Sequence, residues 1–238
     1  AGHEPIHGSD IGGDAREDRK AEGGKANTAK LHANMFECAG AKRLVSVDLH
    51  SGQIQGFFDG PVDHLTAMPV LVEWMANNLR GELVVVSPDA GRVKVAERYA
   101  NLLHANIAIV HKRRVRGVKN AVEAKDVVGE VEGKTCVLID DMIDTGGTLV
   151  AAAEQHAERG AASVYAAATH GVFSGPAIDR LKNSKIDRIV LTNTLPLAPE
   201  KQIDKIEVLS AAGIIADAID AVFEDTSVSD IFDGQNQH

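Results

Sequence analysis

The segment richest in chemistry runs Val137-Leu138-Ile139-Asp140-Asp141-Met142-Ile143-Asp144-Thr145-Gly146-Gly147-Thr148-Leu149. An apolar strand ends in two carboxylates, and Asp144-Thr145-Gly146-Gly147-Thr148 then leads into a helical stretch. Glycines let backbone N–H groups turn inward around an anion, and a helix N-terminus adds its positive dipole end. The Thr145 and Thr148 hydroxyls can donate as well. Asp140 and Asp141 are too acidic to meet a phosphate directly. They suit sugar hydroxyls, or a metal beside the phosphate. One ligand satisfies both halves, a phosphorylated ribose. The alternative is a plain strand–turn–helix junction capped by Asp144 and Thr148, with the two acids solvated. A turn needs one or two such residues rather than this density.

Three more strand-like runs end in polar groups. Leu44–Val47 leads into Asp48-Leu49-His50. Leu83–Val86 leads into Ser87-Pro88-Asp89-Ala90-Gly91. Ile107–Val110 leads into His111-Lys112-Arg113-Arg114. Further β-branched runs lie at Cys136–Ile139, Val164–Ala168 and Ile189–Leu191. Helical patterns fall at Thr28–Ala39, Met68–Leu79, Val93–Leu103, Leu149–Arg159, Pro176–Asn183 and Ala211–Phe223. In the first of these Leu31, Met35 and Cys38 share a helical spacing, and Gly40 can stop the helix. Strands with nearly continuous apolar character, alternating with helices, predict a parallel sheet covered on both faces. Such sheets bind ligands at the carboxyl ends of their strands, where the acids, bases and glycines sit.

Composition agrees. The chain has 238 residues, 44% hydrophobic and 25% charged, which excludes whole-chain disorder and allows one large domain or two small ones. Aromatics are only 4%, so Val, Ile, Leu and Ala must fill the core. A net charge of −9 argues against a broad nucleic-acid surface. No apolar run is long enough to span a bilayer, and the first residues lack the pattern of a signal peptide. Residues 1–27 are glycine-rich and charged and read as a loop or mobile arm. Cys38 and Cys136 lie far apart without metal-ligand spacing, which predicts two buried thiols in a reducing cytoplasm.

The loop resembles the phosphoribosyl-pyrophosphate loop shared by type I phosphoribosyltransferases and by ribose-phosphate pyrophosphokinases. The segments 45–65, 84–100, 110–117, 168–177, 191–197 and 227–234 resemble the second family, in its actinobacterial branch. The resemblance covers roughly residues 14–234. It implies an α/β fold of two type I phosphoribosyltransferase-like domains with parallel sheets. It also implies transfer of diphosphate from ATP to ribose 5-phosphate, giving phosphoribosyl pyrophosphate and AMP for nucleotide biosynthesis, with Mg²⁺ as cofactor. By the same resemblance His50 and Asp89 match the magnesium ligands, and Lys112 matches the catalytic lysine with Arg114 as its partner. Arg114, Asp140, Asp141, Asp144, Thr145, Gly146, Gly147 and Thr148 match the ribose 5-phosphate site. Asp59 and Asp63 are further acids of the His50 motif, read equally well as solvated loop residues. The run Asp14-Ala15-Arg16-Glu17-Asp18-Arg19-Lys20 resembles the ATP segment, with Arg16 at the phosphates and Glu17 toward adenine.

That segment departs from the family pattern, which has Tyr where Asp14 stands and Gln where Glu17 stands. The family's strand-rich beginning and its Phe-Ser-Asp-Gly-Glu adenine loop find no match. The expected organisation is therefore a truncated first domain, 1–67 with 224–238 returning to it, and a second domain, 68–223, carrying the ribose-phosphate loop. The expected partners are ATP, ribose 5-phosphate and further copies of the chain, as a dimer or hexamer, with no nucleic acid and no membrane. Two alternatives stand beside this reading: a non-catalytic ribose-phosphate-binding subunit of a synthetase, and a phosphoribosyltransferase.

Overall fold

The computed structural model describes residues 28–113, 124–224 and 228. The described chain falls into two compact units, one lying within residues 1–66 and 215–238, the other Ala67–Ile214.

In the first unit, helix α1 (Thr28–Cys38) precedes two parallel strands, β1 (Leu44–Val47) and β2 (Val62–Leu65). A 3₁₀ turn, Gly52–Phe57, lies between the strands in sequence, and the Ser51 hydroxyl caps it by accepting from the Gln53 N–H. Lys30 Nζ donates to the Phe57 carbonyl at 2.6 Å and ties α1 to this turn. The stripe expected to bury α1 is the wrong one: Leu31, Met35 and Cys38 are exposed, while Ala29 and Ala33 face inward. Small side chains let the helix backbone approach closely, which turns the larger residues outward. The expectation of two buried thiols therefore fails for Cys38 and holds for Cys136. Gly40, at φ +93°, ends the helix as expected.

The second unit is a seven-stranded sheet with helices on both faces. Its elements are α2 (Met68–Asn78), β3 (Leu83–Ser87), α3 (Val93–Leu103), β4 (Asn106–Arg113), β5 (Ala124–Val128), β6 (Thr135–Ile143), α4 (Gly147–Glu158), β7 (Ser163–Gly171), α5 (Ala177–Lys182), β8 (Arg188–Thr192) and β9 (Ile206–Leu209). Helix α6 (Ala212–Phe223) follows and crosses the boundary at Ile215. The strand order is β5-β4-β3-β6-β7-β8-β9, and all neighbours are parallel except β4 and β5. Side chains alternate across each strand. Val84, Val86, Cys136 and Leu138 pack with Leu149, Phe173 and Leu181 on one face. Val85, Val137 and Ile139 pack with Leu71, Met75 and Tyr99 on the other. The expected α/β architecture with aliphatic parallel strands is what the chain adopts.

The expected strands extend beyond their apolar cores. β6 runs on to Ile143 because its pairing with β7 continues through Met142 opposite His170 and Ile143 opposite Gly171. Three strands lacked a clear sequence signal, namely β2, β5 and β9. Each is short, mixes charged with apolar residues and lies at the edge of its sheet. Chain direction reverses between β3 and β6: from β3 the chain proceeds toward β5, from β6 toward β9. That reversal opens a crevice at the strand ends, the usual ligand position in such sheets. No described helix is long and apolar enough to cross a membrane.

Candidate functional site

Both strands that flank the reversal carry acids at or near their carboxyl ends. After β3, the Asp89 carboxylate turns back on its own loop: Oδ1 accepts from Gly91 N at 2.8 Å and from Arg92 N at 3.1 Å. This caps the turn Ala90–Arg92 and sets the start of α3. On β6, Asp140 Oδ1 accepts from Asp141 N and Asp141 Oδ1 accepts from Met142 N, each at 2.9 Å. Arg92 reaches across from β3 to both acids. Its Nη2 lies 2.5 Å from Asp141 Oδ2, and its Nε lies 3.8 Å from Asp140 Oδ1. The Asp141 side chain is 7% exposed and that of Asp140 25%. Burial, then the hydrogen bond and negative charge of Asp141, push Asp140 above the usual carboxylate range, and the Arg92 charge opposes the rise.

The loop after β6 is built as an anion cradle. Gly146 sits at φ +69°, a left-handed position that costs other residues about 1–2 kcal/mol. It is the N-cap of α4 and, as a glycine, brings no side chain to that position. The N–H groups at the first turn of a helix are those that can meet an anion. Arg180 on α5 buttresses the loop from behind, its Nη1 donating to the Thr145 carbonyl at 3.0 Å. A side chain at Gly147 would meet that same Nη1 at 3.4 Å. The Ser174 N–H donates to the Asp144 carbonyl at 3.1 Å and pins the loop's beginning. Thr145 and Thr148 are exposed beside it.

Residues 116–233 match the family model described as phosphoribosyl synthetase-associated domain. The ribose-phosphate pyrophosphokinase of Streptomyces coelicolor is 56% identical over 224 residues, covering 94% of this chain and 69% of its own. The protein of the same name from Bacillus caldolyticus is 51% identical over 221 residues, covering 93% and 70%. This chain belongs to the ribose-phosphate pyrophosphokinase family. The fold agrees: the crystal structure of a phosphoribosylpyrophosphate synthetase from Mycobacterium smegmatis superposes with a TM-score of 0.78 at 47% identity. That match covers 89% of this chain and 68% of the other.

The family motifs are distributed over both units. Asp89 and the span Asp140–Thr148 lie in the second unit, around one chain reversal. His50 lies in the first, exposed after β1. In the same motif Asp63 pairs with Arg43 at 2.5 Å, and Asp59 is 85% exposed with Lys30 Nζ 3.7 Å away. Asp59 thus agrees with the solvated-loop reading, whereas Asp63 lies on β2, 15% exposed and held by Arg43. Lys112 is on β4, opposite Lys125 of β5. Arg114, Arg16 and Glu17 lie outside the described residues. The donor set suits Mg²⁺, which takes one or two carboxylates and leaves its other positions to water and substrate phosphates. Asp89 supplies one hard oxygen donor, and the described residues hold no cluster of three metal-ligating side chains that would mark a protein-saturated site.

Two features of the strand ends escaped the sequence. Arg92 follows the Ser87–Gly91 run directly, with nothing in the sequence to reveal its partners. At the ends of β7 and β8, His170 Nδ1 lies 2.8 Å from Thr194 Oγ1, and the Thr192 and Thr194 hydroxyls donate to the Thr169 carbonyl at 2.8 and 3.1 Å. The motifs around these residues were visible in the sequence, but not their convergence.

Proposed function

We propose that this chain transfers diphosphate from ATP to the 1-hydroxyl of ribose 5-phosphate, giving phosphoribosyl pyrophosphate and AMP. The observation that carries the reading is the loop from Asp140 to Thr148. It combines carboxylates near a strand end, a left-handed Gly146 and a glycine N-cap at a helix start beside a topological reversal.

In this proposal the 5-phosphate rests on the N–H groups of Gly146, Gly147 and Thr148 and on the hydroxyls of Thr145 and Thr148. Asp140 accepts from the ribose hydroxyls and orients the sugar, Asp141 supports it, and Asp144 closes the loop. The reacting 1-hydroxyl is then held in line with the β-phosphorus of ATP, which converts a bimolecular encounter into a positioned attack. Bond formation at that phosphorus expels AMP. Lys112 and Arg114 neutralise the charge on the transferred diphosphoryl group and on the departing AMP. Arg16 contacts the ATP phosphates and Glu17 the adenine side. Asp89 and His50 are the proposed magnesium ligands. When bound, Mg²⁺ offsets phosphate charge. No covalent enzyme intermediate is required. A homo-oligomer and a cytoplasmic location complete the proposal.

A coupled assay for AMP with ATP, ribose 5-phosphate and Mg²⁺ tests it. AMP should form, and Lys112→Ala should slow its formation about 10²–10³-fold, the usual cost of removing one charge-stabilising group. No AMP above background from the unsubstituted chain would overturn the catalytic reading. Ribose 5-phosphate binding by calorimetry without turnover would favour a binding subunit instead.

A further inference from the structure

We infer that Arg92 is a positioning residue for the sugar half of the site, holding Asp141 so that Asp140 is oriented toward the ribose hydroxyls. The inference rests on the function proposed above.

Three observations carry it. First, the backbone of Arg92 is fixed from one side of the chain reversal, because its N–H donates to Asp89 Oδ1 at 3.1 Å. Its guanidinium is fixed from the other side, on Asp141 Oδ2 at 2.5 Å. One residue thus ties the end of β3 to the end of β6. Second, Asp141 is engaged within the protein through both oxygens, Oδ1 by Met142 N and Oδ2 by Arg92, and its side chain is 7% exposed. It is poorly suited to touch a ligand. Asp140 is the more exposed of the pair, at 25%. Third, the guanidinium lies 2.5 Å from Asp141 and 3.8 Å from Asp140, so the two neighbouring acids divide their work by position. One anchors and the other meets the substrate.

The physical need for the arginine is plain. Two adjacent, largely buried carboxylates repel each other, and a cation beside them offsets that repulsion and fixes the closer one in place. The guanidinium is suited to this role because its planar fork presents several N–H groups in fixed directions, with Nη2 on one acid and Nε toward the other. A lysine at this position would bring one compact charge and could not bridge both acids in the same geometry.

Steady-state kinetics with ATP and ribose 5-phosphate varied separately test this. Arg92→Ala should raise KM for ribose 5-phosphate about 10–100-fold, the range of a lost charge-assisted hydrogen bond, and leave KM for ATP within about twofold. Arg92→Lys should recover part of the loss. In an Asp141→Asn background, where one charge is already gone, Arg92→Ala should cost several-fold less. An unchanged KM for ribose 5-phosphate in a folded Arg92→Ala protein, or equal rises in both KM values, would overturn the inference while the proposed reaction stands. If Arg92→Ala does not fold, the same split in Arg92→Lys decides. An unsubstituted chain that neither forms AMP nor binds ribose 5-phosphate by calorimetry would overturn both.

Discussion

The two units use similar strand sequences and bury them differently. β1, Leu-Val-Ser-Val, is half-buried along its whole length and has one strand neighbour, β2, among the described residues. β6, Thr-Cys-Val-Leu-Ile-Asp-Asp-Met-Ile, is buried at every position but Asp140 and has neighbours on both sides. β-branched composition alone does not decide how deep a strand lies. The number of paired strands and the helices packed over both faces do. The sugar-phosphate loop is attached to the deep strand, where a rigid frame can hold carboxylates and N–H groups within a fraction of an ångström. His50, by contrast, follows the shallow strand and is exposed.

The largest test of this contrast is core truncation. Leu138 is fully buried, packed among the residues of one sheet face. Leu138→Ala should cost about 2–5 kcal/mol in urea unfolding, because a cavity remains in a close-packed interior. Val45 on β1 is half-buried, and Val45→Ala should cost under about 1 kcal/mol. Equal losses at the two sites would show that the two strands are held equally well.

Backbone strain gives the next largest effect. Gly146 has φ +69°, so Gly146→Ala should cost about 1–3 kcal/mol in stability and weaken ribose 5-phosphate binding by calorimetry. In the first unit, Gly56 has no positive φ, and an added Cβ there meets nothing within 4 Å. Gly56→Ala should be close to neutral in both measurements. A neutral Gly146→Ala would mean that the loop relaxes to another turn and is not the preformed cradle described above.

These same residues show what was legible in the sequence. The continuous aliphatic runs at 83–86 and 136–139 announced the parallel sheet because strands buried on both faces cannot tolerate polar alternation. The loop was legible because glycine pairs, hydroxyls and acids crowd a single turn. The fate of the acid pair was not. Asp140 and Asp141 look equivalent in sequence, but the cation that distinguishes them, Arg92, arrives from the turn after β3 and pairs more closely with Asp141. Edge strands β2, β5 and β9 escaped for a related reason. Each has a strand neighbour on one side only among the described residues, so charged residues are tolerated and the apolar signal is diluted.

A smaller effect concerns pH. His156 on α4 is fully buried, with Nδ1 2.7 Å from the Ala152 carbonyl and no partner for Nε2 among the described residues. Burial lowers its pKa, so the folded protein holds it neutral. The unfolded chain takes up a proton below its ordinary value of about 6.5. The unfolded state therefore binds more protons as pH falls, and stability is lost below that value, by up to about 1.4 kcal/mol per pH unit. His156→Met should flatten urea-unfolding stability between pH 7 and 5. An unchanged slope would assign the acid sensitivity to other groups.

The two cysteines give the smallest perturbation and the most local readout of the contrast. Cys38 ends α1 and is exposed. Cys136 lies inside β6, and burial pushes its thiol up to about 11. Alkylation requires both access and a thiolate, and Cys136 lacks both while the sheet is closed. Iodoacetamide at pH 7.5, followed by intact mass, should therefore add one group quickly, and peptide mapping should place it on Cys38. The second group should follow only as the second unit opens, so its rate should rise with urea in parallel with unfolding. Because labelling barely perturbs the protein, the ratio of the two rates compares an exposed helix end with the sheet interior in a single sample. Two groups added at similar rates without denaturant would mean that β6 opens locally, and the rigid frame assigned to the sugar-phosphate loop would have to be abandoned.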